Sequence, residues 1–168
     1  MTGASGSGKT TLATFVQEKF PELKFLSNSA YDVITEEDRA FLNREYGYIA
    51  KGQANVIAMS HSNPNFGFDF QDILLRNRMN LYKSNDNFVT DRSFIDNIAY
   101  YLDQCCAYQT EATTIAFISR AIEAMSSIDL IIRINMTQPL SHGVENNDSR
   151  VANWFYQKKI DRVFDLAT

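Results

Sequence analysis

The chain has 168 residues, a formal net charge of −4, 45% hydrophobic residues and 12% aromatic residues. That length and composition suit one folded domain with a buried core and exclude a disordered chain. No run reaches the roughly 18 to 20 apolar residues of a membrane span, and the acidic balance argues against a dedicated duplex-DNA binder, whose affinity comes largely from neutralised phosphates.

No basic-then-apolar leader precedes the first motif, which predicts a cytoplasmic protein. That motif is Gly3-Ala4-Ser5-Gly6-Ser7-Gly8-Lys9-Thr10, with the spacing Gly-x-x-x-x-Gly-Lys-Thr. Glycines let successive backbone N–H groups turn inward and form an anion-binding nest. The helix that follows aims its positive end at the same point. In this pattern Gly3, Ser5, Gly6, Ser7 and Gly8 shape the cradle for ATP. Lys9 reaches the β- and γ-phosphates, the Thr10 hydroxyl binds magnesium, and Thr11 touches the α-phosphate. Chance produces such a pattern in roughly one chain of this length in a few hundred. A loop of this kind normally follows a buried strand; here Met1 and Thr2 precede Gly3, and no last strand is legible after Ala167.

Lys9 to Phe20 predicts a helix, with Leu12, Phe15, Val16 and Phe20 at helical spacing and Pro21 ending it. Leu23 to Leu26 predicts a short strand. Thr35 followed by Glu36, Glu37 and Asp38 predicts a helix start, a cap hydroxyl and then acids in the first turn. The helical pattern continues to Ser62 with a break near Gly52. Phe41, Tyr46, Tyr48, Phe66 and Phe68 suit core packing, or a sandwich around a base. Asp69 to Lys83 predicts a longer helix with Phe70, Ile73, Leu74 and Leu81 as its core stripe. Asn87 to Thr90 predicts a buried strand, and Phe94 to Gln104 and Glu111 to Met125 predict helices. Adjacent Cys105 and Cys106 read as reduced core filler, because neighbouring cysteines seldom bridge. Leu130-Ile131-Ile132-Arg133-Ile134 is the clearest β-branched run. Met136 to Ser149 is polar and reads as a loop, and Arg150 to Ala167 as a closing helix. His61 and His142 lack Cys or acid clusters and read as surface residues. The alternation of strands and helices predicts a single three-layer α/β/α P-loop NTPase domain with a mostly parallel sheet and a lid over residues 136–150.

In such sheets the ligand sits beyond the carboxyl ends of the strands. Phe88-Val89-Thr90 therefore delivers Asp91 to the rim that carries Lys9. A carboxylate there holds magnesium or accepts a proton from an attacking hydroxyl. Arg92 holds a phosphate or offsets transition-state charge. Asp91 or Ser93 also suits a cap for the helix starting at Phe94.

The glycine loop together with Thr90-Asp91-Arg92-Ser93-Phe94-Ile95-Asp96-Asn97-Ile98-Ala99-Tyr100-Tyr101 resembles the AAA-domain group of small bacterial and phage ATP-binding proteins and kinases, close to nucleoside and nucleotide kinases. An Asp-Arg pair after the third strand is a mark of thymidylate and deoxynucleoside kinases. Gly143, Asn146, Asn147, Arg150, Ile160 and Asp161 are similar to that group's lid and closing helix. The resemblance implies a lid that closes over ATP, with Arg150 as its cation and Lys158 and Lys159 in reserve. It also implies that the helix from Asp69 to Lys83 lines the acceptor pocket. Gln71 and Arg78, seven residues apart and so on one face, are its substrate candidates. Gln71 suits a base edge and Arg78 a substrate phosphate; both also suit plain exposure to solvent.

The leading expectation is an ATP- and magnesium-dependent kinase. Its acceptor is a nucleoside, nucleotide or modified base; hydroxymethyluracil within phage DNA is a variant that the acidic balance disfavours. The alternative is an ATPase or nucleotide-dependent switch working through protein partners. Asp91 is followed by Arg92 rather than by the second acid of a water-polarising pair, which favours the kinase.

Overall fold

Two three-residue strands, β1 (Lys24–Leu26) and β2 (Phe88–Thr90), pair in parallel, with Lys24 opposite Phe88, Phe25 opposite Val89 and Leu26 opposite Thr90. Their carboxyl ends therefore release Ser27-Asn28-Ser29 and Asp91-Arg92-Ser93 side by side. This computed structural model describes residues 1–4, 7–49, 52–135 and 154–167, the side chains of 52–54 and 154 excepted. Among the described residues the helices are α1 (Lys9–Lys19), α2 (Ala30–Val33), α3 (Glu36–Tyr46), α4 (Gly52–Ser62), α5 (Pro64–Lys83), α6 (Phe94–Gln104), α7 (Glu111–Ala124) and α8 (Trp154–Ala167). None of them is long and apolar enough to cross a membrane.

Local chemistry explains the starts and stops. Thr35 caps α3, accepting from the Asp38 N–H while Asp38 accepts from the Thr35 N–H. Ser93 and Asp96 form the same reciprocal box on α6. Asn63 caps α5, and Pro64 occupies its first turn, where the missing N–H costs nothing. Gly47 ends α3 at φ 65°.

The expected three-layer α/β/α P-loop NTPase fold is not what the chain forms. Among the described residues β1 and β2 make up the whole sheet, and helix dominates the rest. The Leu130–Ile134 run is not a strand. Among the described residues Thr2 alone makes a bridge to it, donating from N to Ile132 O (2.9 Å) and accepting from Ile134 N (2.9 Å). A ladder needs consecutive partners, so β propensity is not realised here, and Leu130 stays 73% exposed. The organising element is α5 instead. Its Phe70, Ile73 and Leu74 pack with Val33, Leu42 and Phe66, and its Leu75 and Tyr82 pack with Leu26, Phe94, Tyr101 and Phe117. Tyr101 and Phe117 stack with ring centroids 4.2 Å apart.

A third apolar cluster, Ala4, Ile95, Ala99, Ile160 and Phe164, seats the glycine loop on α6 and α8. In α1, however, the expected stripe is not the buried face. Phe15 and Phe20 are about half exposed, while Lys9 and Ala13 are buried. The small Ala13 is what allows α1 to approach β1 and β2 closely. The aromatics between residues 41 and 68 are core: Tyr48, Phe66 and Phe70 form a packed set with centroids 5.5 to 5.8 Å apart. Cys105 is buried and Cys106 half-buried, both free thiols. His61 is exposed at the end of α4. The lid expected over residues 136–150, with Arg150 and His142, lies outside the described residues.

Candidate active site

The glycine loop enters α1 through Gly8, whose φ of 92° is left-handed, and Leu12 N donates to Gly8 O at 3.0 Å. Gly3, at φ 139°, packs so closely on Ile134 that a Cβ would overlap the Ile134 carbonyl oxygen. Glycine is required there on both counts. Lys9 is 5% exposed. Its Nζ donates to the loop's own carbonyls, Gly3 O at 2.8 Å and Ala4 O at 2.6 Å, so the ammonium is folded back onto the start of the loop. The Ser7 hydroxyl is buried and unpartnered. Thr10 and Thr11 are exposed in the first turn of α1. Ser5 and Gly6 lie outside the described residues.

The second half of the site comes from β2. Thr10 Oγ1 donates to Asp91 Oδ2 at 2.5 Å, joining the loop to the strand end across 81 positions of sequence. Asp91 Oδ1 is buried without a hydrogen-bond partner. A hydroxyl and a carboxylate with a spare oxygen, side by side, are the donor set magnesium takes when substrate phosphates and water complete its shell. Among the described residues no group of three His, Cys, Asp or Glu would hold a metal on protein ligands alone. The residues present fit magnesium in its phosphate-bound form.

Behind Asp91 sits a carboxylate that sequence reasoning missed. Asp96 is 1% exposed. It pairs with Arg92 Nη1 at 3.0 Å and accepts from Thr2 Oγ1 at 2.8 Å and Ser93 N at 2.9 Å. Burial alone would raise its pKa; Arg92, then Lys9 and Arg78, pull it below the usual carboxylate range. Burial likewise opposes the charge on Arg92, but Asp96 outweighs it and raises the guanidinium above its ordinary value. Arg92 is thus held by α6 beside the rim. The capping-box spacing Ser93-x-x-Asp96 was the sequence signal for Asp96.

A cavity of about 280 Å³ opens next to this pair. Thr10, Asp91 and Arg92 line one part of it, and Tyr31, Gln71, Arg78 and Gln104 line others. Gln71 and Arg78 are 3% and 4% exposed, so the solvent-facing reading of both is wrong, and α5 does bring them to a common wall. Gln71 Nε2 donates to Gln104 Oε1 at 3.1 Å. Arg78 donates to Asn28 and Asn97, and burial lowers its pKa from the ordinary arginine value. Asn28, at the end of β1, and Asn97, on α6, were also missed as site residues. Asn28 is the second residue after β1, as Arg92 is the second after β2, which was its only signal.

Lys158 and Lys159, the reserve lid cations, lie on α8, and the lid they would close with is outside the described residues. Lys159 Nζ meets Asp103 Oδ1 at 2.5 Å, tying α8 to α6, and Lys158 Nζ lies 3.5 Å from Asp161 Oδ2.

No family model, curated protein or solved structure matches this chain.

Proposed function

We propose that the protein is an ATP- and magnesium-dependent kinase that transfers the γ-phosphoryl group to a nucleoside-, nucleotide- or modified-base-type acceptor lodged in the cavity beside Asp91. The observation that carries this reading is the 2.5 Å contact of Thr10 with Asp91. It puts the phosphate-loop hydroxyl, a carboxylate with an unused oxygen and an acceptor-sized cavity in one place. Thr10 belongs to the glycine loop and Asp91 and Arg92 to the stretch Thr90 to Tyr101, the two segments that resemble small P-loop kinases.

Magnesium would supply charge neutralisation of the phosphates. Thr10 and Asp91 would hold that ion. Lys9 exchanges its bonds to Gly3 O and Ala4 O for phosphate oxygens, and the Ser7 hydroxyl gains the acceptor it lacks. Arg92, steadied by Asp96, stabilises the group in transit. Gln71 and Arg78 orient the acceptor.

The test is ATP turnover in the presence and absence of an acceptor panel, with ATP affinity measured alongside. Acceptor-dependent formation of ADP, and a loss of roughly tenfold or more in ATP affinity in Lys9→Ala, are expected. Hydrolysis indifferent to every acceptor, or unchanged affinity in Lys9→Ala, would refute the kinase reading.

A further inference from the structure

Arg78 brings a buried positive charge to the cavity wall without a negative partner. Its Nε donates to Asn28 Oδ1 (2.9 Å), its Nη1 to Asn97 Oδ1 (2.5 Å) and its Nη2 to Asn28 O (3.4 Å). All three acceptors are amide oxygens. A guanidinium has five N–H donors, so two remain. Among the described residues no carboxylate forms an ion pair with it. The acids whose charge reaches it bond elsewhere: Asp96 to Arg92, Thr2 and Ser93, and Asp91 through Oδ2 to Thr10. Asn28 is itself fixed, its Nδ2 donating to the Tyr82 hydroxyl. Neutral partners therefore set the plane and direction of the guanidinium, and Asp96 and Asp91 act on its charge only from a distance, without a bond. Burial of a cation in that state is costly until an anion lies against it. The cavity is where an anion has room.

We infer that the acceptor is a phosphomonoester of the nucleoside monophosphate class and that Arg78 grips its phosphate, so that the transferred group goes onto a phosphate oxygen and not onto a sugar or base hydroxyl. This rests on the kinase reading above. The chemistry fits the other residues. An acceptor phosphate oxygen bonds to the γ-phosphorus of ATP while the bond from that phosphorus to the β,γ-bridging oxygen breaks. The electron pair leaves on ADP, and the acceptor becomes a diphosphate. A phosphomonoester is largely ionised at neutral pH, so no base has to remove a proton. Asp91, with one oxygen given to Thr10, is then free for the metal instead of general-base work.

The experiment uses the full chain with magnesium, in two parts. Calorimetry with a non-hydrolysable ATP analogue bound compares nucleosides with their 5′-monophosphates. Coupled turnover with ATP then compares the same pairs in wild type, Arg78→Met and Arg78→Lys. We expect monophosphates to bind at least about tenfold more tightly than their nucleosides and to yield diphosphates. We expect Arg78→Met to lose about thirtyfold or more in kcat/KM for them, with affinity for the ATP analogue kept within about twofold. Arg78→Lys, which keeps the cation, serves if the methionine variant does not fold, and should recover part of the loss. Nucleosides turned over as well as or better than monophosphates, or Arg78→Met indifferent in kcat/KM, would overturn the inference and leave the kinase standing. Turnover of neither class would take both down.

Discussion

Asp96→Asn keeps the shape of the side chain at the centre of the site and removes its charge. Three partners lose it together: Arg92 at 3.0 Å, the Thr2 hydroxyl at 2.8 Å and the Ser93 N–H at 2.9 Å. Asparagine still accepts one or two of these bonds, so the main loss is the ion pair, which leaves Arg92 charged and unmatched. Breaking a buried pair from one side costs about 3 kcal/mol or more. For a chain of this size that corresponds to a fall in Tm of roughly 6 to 12 °C. Thermal and urea unfolding at pH 7 measure it directly. A double-mutant cycle with Arg92→Met should return a coupling of about 1 to 3 kcal/mol. The acid limb adds an independent check. The folded pKa of Asp96 lies below its unfolded value, so its contribution is complete above the ordinary carboxylate range and is lost as pH falls below it. Wild type should therefore lose its advantage over Asp96→Asn as pH drops below about 4. A Tm for Asp96→Asn within about 2 °C of wild type at pH 7, the scale of an ordinary surface change, would refute the placement of Asp96 as the buried tie between Arg92 and Thr2.

Two further outcomes follow from the same geometry. Gly3→Ala forces a Cβ into the Ile134 carbonyl at a φ of 139°, so thermal melting should show a loss of about 1 to 3 kcal/mol, together with weakened ATP binding; a neutral substitution would mean the loop does not rest on residues 132–134. Burial raises the hydroxyls of Tyr46, Tyr48 and Tyr82 to about 12. Their neutral forms support the fold fully below about pH 10, and that support is lost as pH rises from there toward 12. Absorbance at 295 nm should therefore show a late tyrosine class that ionises with unfolding, and normal titration of all tyrosines near pH 10 in the folded chain would contradict it.

The helices were the legible part of the sequence, because caps and periodicity are local. Thr35 with Asp38 and Ser93 with Asp96 mark two starts locally, whereas α5 begins at Pro64, five residues before the expected Asp69, because Asn63 caps it there. The strands were legible as segments but not as a sheet. Leu130 to Ile134 reads as the strongest strand, yet a strand is a relation between two segments, and Thr2 is its only bridging partner among the described residues. The same limit governed the site. Lys9, Thr10 and Asp91 follow from residue type, spacing and the end of a strand. Asn28, Asp96 and Asn97 carry polar side chains of types that cap helices and fill turns on any protein surface, and only tertiary packing makes them buried partners of Arg78 and Arg92. In α1 the apolar spacing pointed to the wrong face, because the helix packs through a small residue, Ala13, and its phenylalanines are left outside.

A sheet of two short strands is small for holding the glycine loop against a strand end, since three or more strands are usually needed for independent stability. The loop is instead pinned by polar ties of long sequence separation. The Met1 nitrogen donates to Thr90 O at 2.7 Å, Thr2 bonds both to Asp96 and to the backbone at Ile132 and Ile134, and Thr10 bonds to Asp91. Each tie joins the first ten residues to a segment more than eighty residues away, and the apolar cluster of Ala4 with Ile95, Ala99 and Phe164 closes over them. Buried bonds of this sort add modestly to stability one by one but are expensive to leave half made. The arrangement is therefore specific before it is strong: shifting α6 by one residue would break the Thr2 bond to Asp96 and carry the Arg92–Asp96 pair away from the first residues of the chain. That all-or-none register is what places Asp91 against Thr10, and Arg78 against the cavity, without a broad sheet to do it.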